Sequence, residues 1–333
     1  MPTIYQVAER AGVSLSTVSR VLNGKASVNK ALKERVEEAI KELNYRPNAV
    51  ARSLANNRTD SVGVLIPKRN ASVFSETLQA LECTLRKAHK HVVIAMGDPG
   101  IEAEKEAVEF LVSRNCDALI IDSETLSDEY LVNLNQTTLP TVLLDRHIEE
   151  IPDACFTFNN EKGGYLATRH LLELGHKSIA YLSGPVSKAA AGSRLTGHKR
   201  ALLEAGLTVN PQLIFNGDAS ENDGERGLLE LMARDLPFSA LVCASNGMAS
   251  GAIGCARDLG MRLPHDLSIV GYDDMLIAHH LHPKLTAVHH SRADMAAIAA
   301  TYILNKVYGQ THHIQPSFEP SLVVRESTLE FAN

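Results

Sequence analysis

Residues 3–23, TIYQVAERAGVSLSTVSRVLN, constrain this chain more than any other stretch. Ile4, Val7, Ala8 and Ala11 recur at helical spacing, Gly12 interrupts the pattern, and Val18, Val21 and Leu22 restart it. That periodicity predicts two short amphipathic helices joined by a tight turn. Ser14 stands just ahead of the second run, where its hydroxyl can accept an otherwise unpaired backbone N–H. The second helix then turns Leu15, Ser16, Thr17 and Arg20 outward. An αα-hairpin buried in a core has the same two-run pattern, but a helix with that polar, basic face also fits the major groove of double-stranded DNA.

Charge favours the second reading. Residues 1–59 carry ten Lys/Arg against five Asp/Glu, whereas the remainder carries 23 against 34. A basic segment ahead of an acidic body directs only the N-terminus toward a polyanion. No run of about 18 apolar residues is present and no basic-then-apolar leader opens the chain, so a cytoplasmic protein with no membrane partner is expected. The five cysteines are scattered singly through apolar stretches and read as buried hydrophobes rather than zinc ligands or disulfides.

After a turn at Asn23-Gly24-Lys25, Val36, Ile40 and Leu43 mark a third helix over about 30–43, which ends ahead of Tyr45-Arg46-Pro47. The next stretch, NAVARSLA, has a capping residue and helix formers but is too short to hold a helix alone in water. From residue 61 the pattern changes to short apolar runs alternating with longer amphipathic segments. Strands are predicted over 62–66, 91–96, 118–122 and 141–144, then over 178–182, 213–216, 240–244 and 267–272. Helices fill the intervals. This alternation implies two doubly wound parallel-sheet α/β lobes behind a small all-α headpiece, with a ligand cleft at the carboxyl ends of the strands.

Taken together, TIYQVAERAGVSLSTVSRVLNG and the later NYRPNAVARSLA resemble the signature of the lactose/galactose repressor family of bacterial transcription regulators. GHKSIAYLSGP, SRLTGHKRAL, MASGAIG, LSIVGYDD and HPKLTAV resemble landmarks of the periplasmic-binding-protein type of core that this family carries, closest to its galactose-repressor-like, sugar-responsive branch. The resemblance implies a helix-turn-helix DNA-binding domain over 1–46, a hinge helix and linker over 47–60, and an effector-binding and dimerisation core over 61–333. Its N-lobe would comprise about 61–160 and 291–320, and its C-lobe about 161–290 and 321–333.

It also implies DNA contacts from Thr3, Tyr5, Leu15, Ser16, Thr17, Arg20 and Asn23, with Arg20 positioned for guanine. Val50, Ala51 and Leu54 match the short helix that wedges a leucine into the minor groove of a palindromic operator, where an apolar side chain kinks the duplex. The alternative for Leu54 is packing on its own core. No heptad tail follows Phe331, so a homodimer is expected rather than a tetramer.

For the cleft, the resemblance implies effector contacts from Phe74, Asp145, Arg194, Ser245, Asn246, Asp273 and His290. An arginine with a pair of carboxylates suits polyhydroxylated ligands, since sugar hydroxyls both donate and accept. Each residue has a second reading: Asp145 could pair with Arg146, Asp273 or Asp274 could cap a helix at Met275, and Phe74 could belong to a core. Ser245-Asn246 replaces the Asn-Asp frequent in sugar-responsive members, and Lys68-Arg69 adds cations near the cleft mouth. Ala219 and Arg146 stand where a purine platform would need aromatics, so a sugar or glycoside is expected, with a sugar phosphate as the alternative. The histidine pairs at 279–280, 289–290 and 312–313 lack metal-ligand spacing, and no nucleophile elbow or phosphate loop is present. The expected function is therefore a transcription repressor, not an enzyme, without cofactor or metal and released by its effector. The rival is a regulator controlled mainly by a partner protein docked on the core.

Overall fold

The computed structural model describes residues 2–22, 29–46, 53, 58–67, 71–98, 100–123, 125–186, 188–314 and 318–331. The chain divides into two compact units, Met1–Ser61 and Val62–Asn333. In the first, helices α1 (Ile4–Ala11), α2 (Leu15–Leu22) and α3 (Lys30–Glu42) bury Val7, Ala8, Ala11, Val18, Val36 and Ala39 together. Helix α1 starts in a capping box: the Thr3 hydroxyl accepts the Gln6 N–H and Gln6 Oε1 accepts the Thr3 N–H at 2.8 Å. Gly12, at φ 63°, ends it in the left-handed region that only a residue without Cβ enters freely. The Ser14 hydroxyl then accepts the Thr17 N–H at 3.3 Å and opens α2.

The second unit contains two sheets. The first has strand order β2-β1-β3-β4-β5, built from β1 (Ser61–Pro67), β2 (His91–Gly97), β3 (Ala118–Ile121), β4 (Thr141–Leu144) and β5 (Cys155–Phe156). Its helices are α4 (Ala71–Lys87), α5 (Ile101–Ser113) and α6 (Asp128–Asn133). Val64 and Ile66 point to one buried face while Leu65 points to the other, so an uninterrupted apolar run is what such a strand requires.

The second sheet has order β11-β10-β9-β8-β6-β7, from β6 (Ile179–Ser183), β7 (Ile214–Asn216), β8 (Ala240–Cys243), β9 (Ser268–Tyr272), β10 (Thr286–His289) and β11 (Ser321–Val323). Helices α7 (Asn160–Glu173), α8 (Ala189–Glu204), α9 (Glu221–Ala233), α10 (Asn246–Asp258) and α11 (Leu276–His280) accompany it. The expectation of purely parallel sheets needs one correction, because β11 runs antiparallel to β10. Helix α12 (Arg292–Tyr308) follows β10 yet packs Met295, Ala299 and Ile303 into the core of the first sheet, and β11 then returns to the second.

Helices α7 and α8 approach so closely that a Cβ on Gly164 would lie 1.9 Å from the Arg194 carbonyl oxygen, and one on Gly197 1.9 Å from that of Glu161. Alanine at Gly197 forces the helices apart. We expect Gly197→Ala to lower the stability of the two-lobed unit by about 1–3 kcal/mol, the usual cost of overpacking, measured by urea denaturation.

Behind this crossing, the Thr168 hydroxyl donates to the Gly164 carbonyl at 3.0 Å, so its lone pair takes the His198 Nδ1–H at 2.8 Å. Burial, with Lys199 adding to it, pushes the His198 imidazole down to about 3. The unfolded chain takes up this proton below about pH 6.5 while the folded chain does not. Stability present at neutral pH is therefore lost as pH falls from about 6.5 toward 3, at about 1.4 kcal/mol per pH unit for each such proton. Denaturation curves between pH 7.5 and 5 should show at least that slope, and His198→Asn should reduce it by one proton's contribution.

Candidate effector cleft and DNA-reading helix

Between the lobes lies a cavity of about 190 Å³ whose walls are the carboxyl ends of both sheets. Pro67, Asp122 and Asp145 stand at or just past the ends of β1, β3 and β4, and Gly184, Asp218, Ala244 and Asp273 end or follow β6, β7, β8 and β9. Asp145 (φ 55°) and Asp273 (φ 82°) both occupy left-handed backbone, which aspartate tolerates better than most residues. The chain turns sharply there, and each turn points a carboxylate toward the opening.

Arg194, on α8, is buried at the floor. Its Nε donates to Asn160 Oδ1 at 2.9 Å and its Nη1 to the Ala244 carbonyl at 2.6 Å, while its plane lies 3.7 Å from the centroid of the Tyr272 ring. Asp273 Oδ1 is 3.8 Å from Nη2. Burial acts to lower the Arg194 pKa, but Tyr272, Asp273 and Asp145 together outweigh it and hold the group charged. Burial pushes the Tyr272 hydroxyl up to about 12, against the pull of Arg194.

Asn160 links two of these residues, since its amide nitrogen reaches Asp145 Oδ1 at 3.5 Å. The second Asp145 oxygen lies 3.6 Å from Nη2 of Arg292. His290 is buried against Phe158 and 3.3 Å from Asp273, and burial, followed by Arg292 and Arg194, holds it far below the ordinary histidine range. It is therefore neutral.

Asp145, Arg194, Ser245, Asp273 and Phe74 all line the cavity, and Phe74 belongs at the same time to the first-sheet core. Ser245 caps α10 through the Met248 N–H and donates to the Ala219 carbonyl at 2.9 Å. Asn246 and His290 do not line it. The Asn246 amide is taken up by the Tyr272 carbonyl at 2.6 Å and the Met275 N–H at 2.9 Å, joining β9 to α11. Arg146 pairs with Asp128 rather than with Asp145, and Asp274 pairs with Arg325. Sequence reasoning missed Asn160, Lys188, Asp218 and Arg292; three of them sit at or beside helix starts, a position that only the topology reveals.

In the headpiece, Leu15, Ser16 and Arg20 are exposed on α2, Thr17 is half-buried, and Tyr5 is exposed on α1. Thr3 is committed to the α1 cap. Asn23, Val50, Ala51 and Leu54, like Lys68 and Arg69, lie outside the described residues.

A helix-turn-helix headpiece joined to a two-lobed core of periplasmic-binding-protein type defines a ligand-responsive transcription regulator. Residues 3–48 match the bacterial regulatory proteins of the lacI family, and residues 168–328 match the periplasmic binding protein-like domain. The HTH-type transcriptional regulator GalR of Escherichia coli K12 is 34% identical over 328 residues, spanning 98% of this chain and 96% of GalR. The repressor PurR of Aliivibrio salmonicida is likewise 34% identical, over 335 residues that span 98% of this chain and 99% of PurR. The lac repressor dimer bound to operator and the anti-inducer ONPF superimposes with a TM-score of 0.87 at 31% identity, over 98% of this chain and 99% of that one. The chain belongs to the lacI family of bacterial transcription regulators, and these relatives are not enzymes.

Asn160→Ala removes the acceptor of a buried guanidinium N–H. A loss of about 1–3 kcal/mol in the stability of the two-lobed unit is expected, read from its thermal or urea unfolding.

Proposed function

We propose that the chain binds a palindromic operator as a homodimer and that a small polyhydroxylated effector in the interlobe cleft tunes or releases it. The observation that carries this reading is the convergence of Asp145, Arg194 and Asp273 on one cavity. Carboxylates accept from sugar hydroxyls and guanidinium N–H groups donate to them, so this set can satisfy a polyol on several sides. GalR and PurR are equally similar in identity, so relatedness does not choose between sugar and purine. The lining supports the sugar reading: Phe74 is its one aromatic residue among those described, which leaves a flat base without a second stacking partner.

DNA reading falls to α2, with Arg20 forked onto guanine and Leu15, Ser16 and Thr17 beside it. Leu54, with Val50 and Ala51, acts at the minor groove. The dimer forms along the sides of both lobes. Ile94 and Met96 lie exposed on the sheet-edge strand β2, and Ile101 and Phe110 lie exposed on α5, which packs against it.

Two measurements test the proposal. By fluorescence anisotropy with a palindromic duplex, Arg20→Ala should weaken binding by about 1–3 kcal/mol and relax the preference for guanine at one position of each half-site. A bound sugar should raise the melting temperature of the full chain by mass action and change operator affinity. Operator must then change sugar affinity by the same factor. A sugar that binds tightly without altering operator affinity would refute the coupling, and unchanged binding by Arg20→Ala would refute the assignment of α2.

A further inference from the structure

Two arginines border the cleft, and the protein treats them differently. Arg194 donates from Nε to Asn160 and from Nη1 to the Ala244 carbonyl, and it stacks on the Tyr272 ring. Arg292, the first residue of α12, lines the same cavity with its side chain 17% exposed. Its Nε is buried and makes no hydrogen bond among the described residues. Its Nη2 comes no nearer to Asp145 than 3.6 Å, well outside the ~2.7–2.9 Å of a charge-assisted bond. The Phe158 ring lies 5.9 Å away, at the edge of useful cation–π range. Asp145 cannot fully serve this cation, because its other oxygen faces Asn160.

A guanidinium withdrawn from water without an acceptor is costly, and its planar fork matches the two oxygens of a carboxylate or phosphate. Lys188 lines the same cavity as the residue preceding α8, a helix start with no side-chain cap, and adds positive potential on the opposite lobe. The remaining polar wall is carboxylate, supplied by Asp122, Asp218 and Asp273, and suits hydroxyls rather than a second anion.

Building on the proposal that the cleft is the effector site, we infer that its ligand is an anionic polyhydroxy compound, a sugar acid or sugar phosphate, whose acid group seats on the Arg292 guanidinium. The hydroxyls bond Asp145 and Asp273, and the oxyanion supplies the acceptor that Arg292 Nε lacks.

The test is calorimetric titration of the full chain with matched series of hexoses and pentoses. Each series contains the neutral sugar, its aldonic and uronic acids and its phosphate, with inorganic phosphate alone as a further probe. One acidic member should bind more tightly than its neutral parent, and the carboxylate and phosphate arms identify which oxyanion is used. In Arg292→Met that preference should fall by roughly 30-fold or more, the low end of what truncating one partner of a buried hydrogen-bonded charge pair costs. Arg292→Lys, which keeps the charge but not the fork, should retain part of it. A wild-type chain that prefers the neutral sugar, or a preference for acid unchanged in Arg292→Met, overturns this inference while leaving the effector cleft intact. Binding of inorganic phosphate with no gain from any sugar also overturns it. Absence of binding across every series overturns both the inference and the effector reading beneath it.

Discussion

The second lobe is organised around a cation withdrawn from solvent. Arg194 is 7% exposed, and a guanidinium in a protein does not escape the cost of burial by losing its proton. Desolvation of such an ion costs several kcal/mol even after relaxation, so the surrounding chain must supply acceptors and a polarisable face. Asn160 at the start of α7, the Ala244 carbonyl past β8 and the Tyr272 ring on β9 do so from three separate elements. The stack on Tyr272 contributes about 2 kcal/mol when desolvated. The same requirement explains two adjacent glycines. A Cβ at Gly163 would meet the Tyr272 hydroxyl at 2.0 Å, and one at Gly164 would meet the Arg194 main chain. One buried charge thus fixes the register of α7 against α8 and of both against the sheet.

Around that anchor, the rim of the cleft is shaped by backbone as much as by side chains. In each lobe a parallel strand must turn abruptly into the loop before its next helix, and several of these corners are left-handed: Asp145, Ala219, Asp273 and Asp274. For aspartate the conformation is tolerable, but for Ala219 it costs about 1–2 kcal/mol. That cost is offset locally, since the Ala219 carbonyl accepts the Ser245 hydroxyl and ties the ends of β7 and β8 together. The polar groups facing the cavity are therefore held by turns that have little freedom to relax, which is what a site that discriminates between similar ligands requires.

Much of this architecture was legible in the sequence because its signals are local. The headpiece announces itself through apolar spacing, Gly12 and the Ser14 cap, all within about twenty residues of one another. The buried strands of both lobes read as apolar runs because each is covered on two faces. Strands β5 and β11 carry only two or three residues, β10 carries four within a mixed polar stretch, and β11 pairs with β10 alone. Helix α8 begins at Ala189 with no side-chain cap, so no capping residue marks its start in the sequence. Arg194 and Asp273 were singled out by resemblance, not by periodicity. Asn160 and Arg292 carry no motif at all; they acquire meaning because the chain crosses between lobes immediately before α7 and α12. Asn246 shows the reverse error. A polar residue opening a helix beside the cleft looks available, yet its amide is consumed by Tyr272 and Met275.

Those crossings also bear on how a small ligand can exert a large effect. Asn160 belongs to the second lobe and Asp145 to the first, and they meet at 3.5 Å, while Arg292 meets Asp145 at 3.6 Å and Arg194 meets Asp273 at 3.8 Å. All are longer than the ~2.7–2.9 Å of a charge-assisted bond. A hundredfold change in affinity for a second ligand corresponds to about 2.7 kcal/mol, and one or two hydrogen bonds to charged groups are worth about 1.5–3 kcal/mol each. A ligand that bonds both lobes in one geometry, and only one lobe in the other, therefore supplies enough differential affinity without any large rearrangement. What the cleft must provide is a set of charged groups only partly satisfied by one another, so that the balance between geometries remains open to a third party. Asp145 meets that condition, with long contacts to Asn160 of the second lobe and to Arg292: Arg194, bonded to Asn160 and the Ala244 carbonyl, holds the second lobe together, while the Asp145 carboxylate stays open to a ligand.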